Sequence, residues 1–483
     1  MNNAPQEVAA TIARVPAGSE RNERSAVALR ANGDFTLPKI EGRPLEKRVF
    51  TATYYDTPER RLARAGITLR RRLENGNNVW ELELPREPEA LNLDAPGGPS
   101  GPPPVLARLL TGVVRGVPLR EVRTIRTRRA GVRVVSGGLE TVEALFDSIS
   151  VLDGRRVEEE FTEISLRPLD SDTRRLRALS KELCRAGAQR RRRRPASDSR
   201  ADAAGAGEVK AMLERQLALI LAHDPAVRLG DDSEDVHQLR VATRRFRAVL
   251  RAARPFFTDG RAEGARAELR WLADLLGSVR DLDVLIERAR EERARLDVSE
   301  QAGAAHVIDL LVTEREAARA RLVTAMRTKR YMRLLGRIEE LVDRPLVGDE
   351  DVRVGKLARS EFKKLSKAAS ALTEEATDDE LHRIRVRVKR ARYTAELAEP
   401  AVGKRATRFI RRAKRVQDVA GELQDAVVAE DRIRALADRI DRPDAAFAAG
   451  RLAERARARR AAAREAFPKA WAALEKSGQR VWA

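Results

Sequence analysis

Six arginines and one histidine fall within residues 236 to 256, VHQLRVATRRFRAVLRAARPF, without a single Asp or Glu. At the roughly 100° per residue of an α-helix, His237, Arg240, Arg244, Arg247 and Arg251 share one sector of roughly 80°. Leu239, Ala242, Phe246, Val249, Leu250 and Ala253 take the opposite side. Guanidinium forks grip phosphate oxygens bidentately and keep their charge at any physiological pH. A solvated polar face is the bland alternative. Such faces usually mix signs, because opposite charges four residues apart support each other. This one does not, and so it repels itself unless an anion lies against it.

The pattern recurs. HQLRVATRRFR (237 to 247) matches HRIRVRVKRAR (382 to 392) at a constant offset of 145, pairing His237 with His382, Arg240 with Arg385, Arg244 with Lys389, Arg245 with Arg390 and Arg247 with Arg392. GSVRDLDV (277 to 284) matches GELQDAVV (421 to 428), pairing Gly277 with Gly421 and Asp281 with Asp425. The second basic segment, 381 to 395, again lacks any acid. A duplicated unit is therefore present, and packing about a pseudo-twofold would let both cationic faces line one groove. The polyanion-binding candidates are the ten residues just paired, with Arg251, Arg411 and Arg415 added. A nearby phosphate should raise the pKa of His237 and His382 and favour binding at mildly acidic pH; a structural histidine is the other reading for each. Asp281 and Asp425 either orient arginines across the groove or are simple surface acids.

Charge agrees with this chemistry. The 483 residues carry a net charge of +21 and a pI near 10.7, which calls for a polyanionic partner without naming one. The basic helices hold only Phe246 and Tyr393 of the 19 aromatics. That leaves little to stack single-stranded bases on, although non-specific nucleic-acid binding through counterion release stays open. One cysteine, Cys184, and four histidines exclude an internal disulfide framework and disfavour a Cys/His zinc site. No run reaches the roughly 18 apolar residues of a membrane span, and the opening MNNAPQEVAATIARV lacks a basic segment followed by an apolar one. The expectation is a cytoplasmic protein without membrane contact; the oligomeric state stays unread.

The elements divide the chain in two. ITLRRRL (67 to 73), VWELELP (79 to 85), RTIRTRR (123 to 129) and FTEISLRP (161 to 168) alternate with period two and predict antiparallel strands with one charged face. ENGNN (74 to 78) predicts a hairpin, DAPGGPSGPPP (94 to 104) a loop, and residues 170 to 190 a helix. An arginine run with small polar residues, 191 to 206, predicts a linker, and residues 207 to 483 predict a helical bundle whose repeats span about 207 to 345 and 350 to 483. The strand domain takes 20 to 190, so the fold class is multidomain α+β.

The helical half resembles a CHAD domain, through its doubled H-x-x-R-x-x-x-(K/R)-R-x-R helix. That resemblance implies two pseudo-symmetric four-helix bundles, a basic central cavity, binding of inorganic polyphosphate without a cofactor, and attachment to polyphosphate granules. The first half resembles a CYTH domain of the triphosphate tunnel metalloenzymes, through YYDTPERRLARAGITLRRR (54 to 72), DFTLP (34 to 38), W-x-L-x-LP (80 to 85) and TIRTRR (124 to 129). It implies an eight-stranded antiparallel tunnel with charges inside, Arg70, Arg72, Arg126 and Arg128 holding phosphates, and carboxylates such as Glu81 and Glu163 holding Mg or Mn. Active members carry E-x-E-x-K on the first strand, where this chain has RSAVA, with Arg24, Ala26 and Ala28 at the three positions. Glu83 stands at a basic position and Ser165 at an acidic one. Hard cations need oxygen ligands, so the resemblance points to a tunnel that binds without cutting, with Glu83, Glu143 and Asp147 as remaining ligand candidates. The alternative is a metal-dependent triphosphatase or adenylate cyclase-like enzyme.

Overall fold

The computed structural model describes residues 13–14, 27–32, 35–136, 138–169, 173–190, 206–257, 260–344, 354–373 and 375–482. The chain divides into two compact units: the strand-bearing part with Leu221–Leu229, and the helical part from Gly230 on with the helical residues before Leu221.

Eleven strands are described: β1 (Ala13–Arg14), β2 (Val27–Asn32), β3 (Arg43–Pro44), β4 (Arg48–Asp56), β5 (Thr68–Glu74), β6 (Asn77–Leu84), β7 (Leu91–Pro96), β8 (Arg120–Ser136), β9 (Leu139–Asp153), β10 (Arg156–Pro168) and β11 (Gln189–Arg190). All pair antiparallel in the order β1-β7-β6-β5-β4-β8-β9-β10-β2-β11, with β3 on β8. Eight have six residues or more. The expected closed eight-stranded tunnel needs correcting: among the described residues the path ends on the two-residue strands β1 and β11, which do not pair with each other. The predicted loop at 94 to 104 is also shorter, since Asp94, Ala95 and Pro96 pair with Glu81, Trp80 and Val79. A proline is tolerated at a strand end, where its missing N–H breaks no ladder. The predicted hairpin forms at Asn75 and Gly76, both at positive φ (49° and 80°), as a two-residue turn between right-twisted strands requires.

Period-two alternation sorts the faces. Leu69, Trp80, Leu82, Leu84 and Leu93 are buried on one side, while Arg70, Arg72 and Glu81 point to the other. Short helices accompany the sheet: α1 (Arg61–Arg64), α2 (Pro104–Leu109), α3 (Thr111–Val114) and α4 (Arg174–Arg185). α4 lays Leu176, Leu179 and Leu183 on Val134, Val142, Ala144, Ile164 and Leu166. With the apolar side taken by the core, the charged side faces a cavity. Asp56 of the YYDTPERRL motif is spent on structure: its carboxylate accepts from the backbone N–H groups of Leu62 (2.9 Å) and Ala63 (3.0 Å) and starts α1.

The helical unit holds, with the linking helix α5 (Ala206–Leu229), α6 (Ser233–Ala252), α7 (Arg261–Arg293), α8 (Val298–Met326), α9 (Lys329–Asp343), α10 (Val354–Ala369), α11 (Asp378–Val402), α12 (Lys404–Ala437) and α13 (Pro443–Trp482). Both basic helices begin on side-chain caps: Asp232 accepts from Glu234 N–H at 2.9 Å, and Thr377 and Glu380 form a capping box. The first turn of α11 carries Asp378, Asp379 and Glu380, where the helix dipole favours them, and no acid follows until Glu396. Leu239, Ala242, Phe246, Val249, Leu250 and Ala253 are all at most 1% exposed, as their helical spacing predicts. α6 packs on α11, α7 on α12 and α8 on α13, so repeat-matched helices meet. The linker predicted at 191 to 206 and the first-strand positions Arg24 and Ala26 lie outside the described residues, Ala206 excepted.

Candidate functional site

Cations from both repeats converge where α6 meets α11. Arg240 donates from Nη1 to Asp281 Oδ1 on α7 at 2.9 Å, and a methyl group added to Gly277 would lie 3.9 Å from its Nη2. The second repeat copies this: a methyl on Gly421 would lie 3.4 Å from Nη2 of Arg385, whose charge is opposed by Asp425. Each repeat glycine thus lies where the matched guanidinium passes over the neighbouring helix. The orienting role suggested for Asp281 has its hydrogen bond; Asp425 acts on Arg385 through charge.

Lys389 lies among these groups. Desolvation, with Arg385, Arg244 and Arg240 adding and Asp425 opposing, pulls its ammonium down to about 7. Burial likewise lowers Arg385, with Asp425 opposing and Arg244 and Arg240 adding. The Nε atoms of Arg244 and Arg385 are buried without a hydrogen-bond partner among the described residues. Cations this close repel strongly in a low-dielectric setting, so the free groove is an electrostatically unfavourable arrangement. His237 departs from expectation: burial and Arg280, with Arg244 and Arg240 adding, hold its pKa below the usual imidazole value. A rise would require a bound anion. His382 places Nδ1 2.7 Å from Gln424 Oε1.

A cavity of about 420 Å³ opens between α6, α7, α10 and α11, lined by Arg244, Arg247, Arg251, Arg266, Arg270, Lys364, Lys389 and Arg390 against one carboxylate, Glu361. Arg266, Arg270 and Lys364 escaped the sequence reading; the signal was the i, i+4 arginine pair on α7 ahead of the repeat glycine. Arg392, Arg411, Arg415 and Arg245 are not among the residues that line this cavity. Arg392 is buried, donates to Glu396 at 2.9 Å and lies 4.5 Å from the centre of the Tyr393 ring, so it serves the packing of α11. Arg411 and Arg415 are exposed on α12, outside the residues lining this cavity. Arg245, half-buried, acts electrostatically on Glu396.

In the strand unit a cavity of about 680 Å³ is lined by Arg60, Arg70, Arg72, Arg123, Arg129 and Arg167 together with Glu143, Asp147 and Glu163. Arg70 and Arg72 line this cavity; Arg126 and Arg128 do not. The register puts Phe50 against Thr127 and Ala52 against Ile125, so the inward set of β8 is Arg123, Ile125, Thr127 and Arg129, while Arg126 and Arg128 are exposed on the other face. Both parities of RTIRTRR carry arginine, and only strand pairing decides between them.

The tunnel carboxylates are already engaged. Glu81 takes Arg70 Nε at 2.6 Å and Arg72 Nε at 2.8 Å. Asp147 takes Arg129 through both oxygens at 2.7 Å, and Glu143 takes Arg133 and Arg167, each at 3.1 Å. Burial draws the Arg70 guanidinium down, but the charges and hydrogen bonds of Glu81 and Tyr54 outweigh it and the net shift is upward. Ser165 pairs directly with Ala28, so two uncharged positions adjoin on the inner face. Glu83 is exposed. No cluster of three or more His, Cys, Asp or Glu that could hold a metal occurs among the described residues, and none of their helices is long and apolar enough to cross a membrane.

Comparison with known proteins assigns both halves. The uncharacterized protein Rv2226 of Mycobacterium tuberculosis is 29% identical over 449 residues, 85% of this chain and 86% of its own. Among solved structures, the CHAD domain from the plant Ricinus communis is 26% identical and covers 58% of this chain and 94% of its own, with a TM-score of 0.48. The PH1819 protein from Pyrococcus horikoshii is 19% identical and covers 35% and 91%, with a TM-score of 0.23. A CYTH-domain family model matches residues 26–191 and a CHAD-domain model residues 211–434. The chain therefore carries a CYTH domain followed by a CHAD domain.

Proposed function

We propose that this protein binds inorganic polyphosphate along the groove between α6 and α11, and that its CYTH domain is a companion that holds phosphate groups without cleaving them. One observation carries the reading: Arg240 and Arg244 of the first repeat lie close enough to Arg385 and Lys389 of the second to disfavour the charged form of both. A linear polyanion relieves that repulsion along its whole length, and guanidinium forks suit its phosphates. CHAD domains in general are associated with polyphosphate, and this chain's match to the family supports the same ligand class. Two pseudo-symmetric four-helix bundles would place the matched helices α6 and α11 across one axis. A cytoplasmic protein attached to polyphosphate granules follows from the same reading.

Cleavage in the tunnel would call for Mg or Mn. The residues described do not fit such an ion, because Glu81, Glu143 and Asp147 are each committed to arginine and the first-strand motif reads RSAVA. A triphosphatase or cyclase-like activity is the second reading, favoured by the cavity and by Glu163 in its wall. Titrating the full chain with medium-length polyphosphate at two salt concentrations separates the two, with tripolyphosphate and duplex DNA as competitors and phosphate release followed in the same tubes. The expected result is tight, salt-sensitive binding that DNA fails to displace, without turnover. Replacing Arg240, Arg244, Arg385 and Lys389 together by Ala should weaken it at least about 100-fold, as roughly 1 kcal/mol or more per charge-assisted bond implies. Unchanged affinity in that variant places the site elsewhere, and rapid phosphate release makes the chain an enzyme.

A further inference from the structure

A second cationic pocket lies on α12 and α13, apart from the groove's lining residues. Arg405, Arg408, Arg412, Lys476 and Arg480 surround about 500 Å³ with no carboxylate in the wall. Spacing explains it: the arginines of α12 recur at i, i+3 and i+7 and the cations of α13 at i and i+4, so each set shares one helix face. All five are exposed, and among the described residues none has an acid within ion-pairing distance. Other surface arginines of this chain do pair, Arg330 with Glu268 at 2.7 Å, Arg432 with Glu314 at 2.6 Å and Arg442 with Asp444 at 2.7 Å.

The pocket is also built to keep its shape. Between Arg408 and Arg412, Phe409 turns into the core, where it meets Phe362 and Trp482 edge to face at 5.7 and 5.9 Å. That pins the last turns of α13 against α12. Ser477, 6% exposed, is among the lining residues, and its buried hydroxyl has no hydrogen-bond partner among the described residues. The duplication does not supply the site. The offset that carries Gly277 onto Gly421 carries Gly264 onto Arg408 and Glu268 onto Arg412, and Glu268 is held by Arg330. The pocket therefore belongs to the second repeat alone.

We propose that this pocket is a separate anion site for a compact phosphate-rich ligand, a short oligophosphate or the end of a longer one. Five converging cations match a dense charge of about three to five units. A duplex cannot enter a cavity of this volume, and no aromatic ring lines it to stack a base. The site stands independently of the groove.

Lysine acylation of the full chain, read by mass spectrometry, tests it at Lys476 itself. With tripolyphosphate at about ten times its half-saturating concentration, Lys476 should label about ten-fold more slowly, while Lys329 and Lys181, exposed elsewhere, keep their rates. The Arg408→Ala/Arg412→Ala variant should lose the protection. An unchanged Lys476 rate under saturating ligand, or protection that survives the double substitution, overturns the proposal. Repeating the labelling with long-chain polyphosphate in an Arg385→Ala/Lys389→Ala background identifies the source. Protection lost there, but kept with tripolyphosphate, means that the pocket takes the end of a chain held in the groove. Protection kept with both means that it takes free ends. Failure of groove binding alone leaves the tripolyphosphate result at Lys476 untouched, so the two readings fail separately.

Discussion

Of the six arginines lining the tunnel, five have a carboxylate within ion-pairing distance: Arg70, Arg72, Arg123, Arg129 and Arg167. Of the eight cations lining the groove cavity, two do among the described residues, Arg266 and Lys364. Secondary structure underlies the difference. In an antiparallel sheet, residues directly opposite on neighbouring strands share a face, so the register can set Arg70 beside Glu81 and Arg129 beside Asp147. On α6, Arg240, Arg244, Arg247 and Arg251 follow one another at i+3 or i+4, as Arg385 and Lys389 do on α11. The tunnel's charges are satisfied before any ligand arrives, and a phosphate must displace carboxylates to enter; the groove gains from an anion at once. Charge in the tunnel therefore serves stability, and charge in the groove stays unrelieved at stability's expense, as the proposed binding role requires.

Glu81→Gln tests the first half of that contrast and has the largest expected effect. Glu81 is 6% exposed, and removing its charge strands the partly buried guanidinium of Arg70 and leaves Arg72 to Glu74, which should cost about 3 kcal/mol. Urea unfolding should show it as a lowered midpoint; a shift below about 0.5 kcal/mol would mean that the tunnel pairs are ornamental. Lys389→Met tests the other half. Losing an ammonium crowded by Arg385, Arg244 and Arg240 should leave the free protein as stable or up to about 1 kcal/mol more so, while polyphosphate affinity falls about ten-fold, the loss of one charge-assisted contact. A variant that is both less stable and unimpaired in binding would reverse the assignment.

The same lysine gives the groove a pH signature that the tunnel lacks. Its folded pKa of about 7 lies below the ordinary 10.5, so between those values the unfolded chain binds more protons. Its contribution to stability therefore rises with pH from about 7 to about 10.5 and is flat below. Bound polyphosphate restores the charge, so binding near pH 7 to 8 should take up a proton and affinity should fall as pH rises above 7. Calorimetry in buffers of different ionisation enthalpy reads the uptake directly. Lys389→Met should abolish it; persistence in that variant would move the titration to another group.

These contrasts were unevenly legible in the sequence. The core face of α6 and the repeat pairing could be read from spacing alone, because helical periodicity assigns each side chain a sector without reference to any partner. The tunnel could not be read that way. RTIRTRR offers arginine on both faces, and the choice of Arg129 over Arg128 rests on Phe50 pairing with Thr127, a contact far away along the chain. Arg392 fits the doubled motif and still turns to Glu396; a motif records chain position, while a buried acid four residues on decides where the guanidinium goes. Arg412 carries the same lesson: the repeat aligns it with Glu268, and only packing against the end of α13 makes a pocket of the substitution.

The smallest expected effect comes from one substitution made in both regions. Asp147 is held by Arg129 through two hydrogen bonds, with the paired side chains 18% and 22% exposed; Asp281 holds Arg240 through one, with its own side chain 56% exposed. Asp147→Asn should cost about 1 to 2 kcal/mol, as loss of a partly desolvated bidentate pair does. Asp281→Asn should cost less than about 0.5 kcal/mol, because solvent already screens that pair. Its effect should appear in binding, where releasing Arg240 from the acid it is hydrogen-bonded to strengthens polyphosphate affinity about two- to three-fold, or roughly half a kcal/mol. If Asp281→Asn weakens binding, the carboxylate is aiming Arg240 at the ligand more than it competes with it, and Asp281 becomes a positioning residue of the groove.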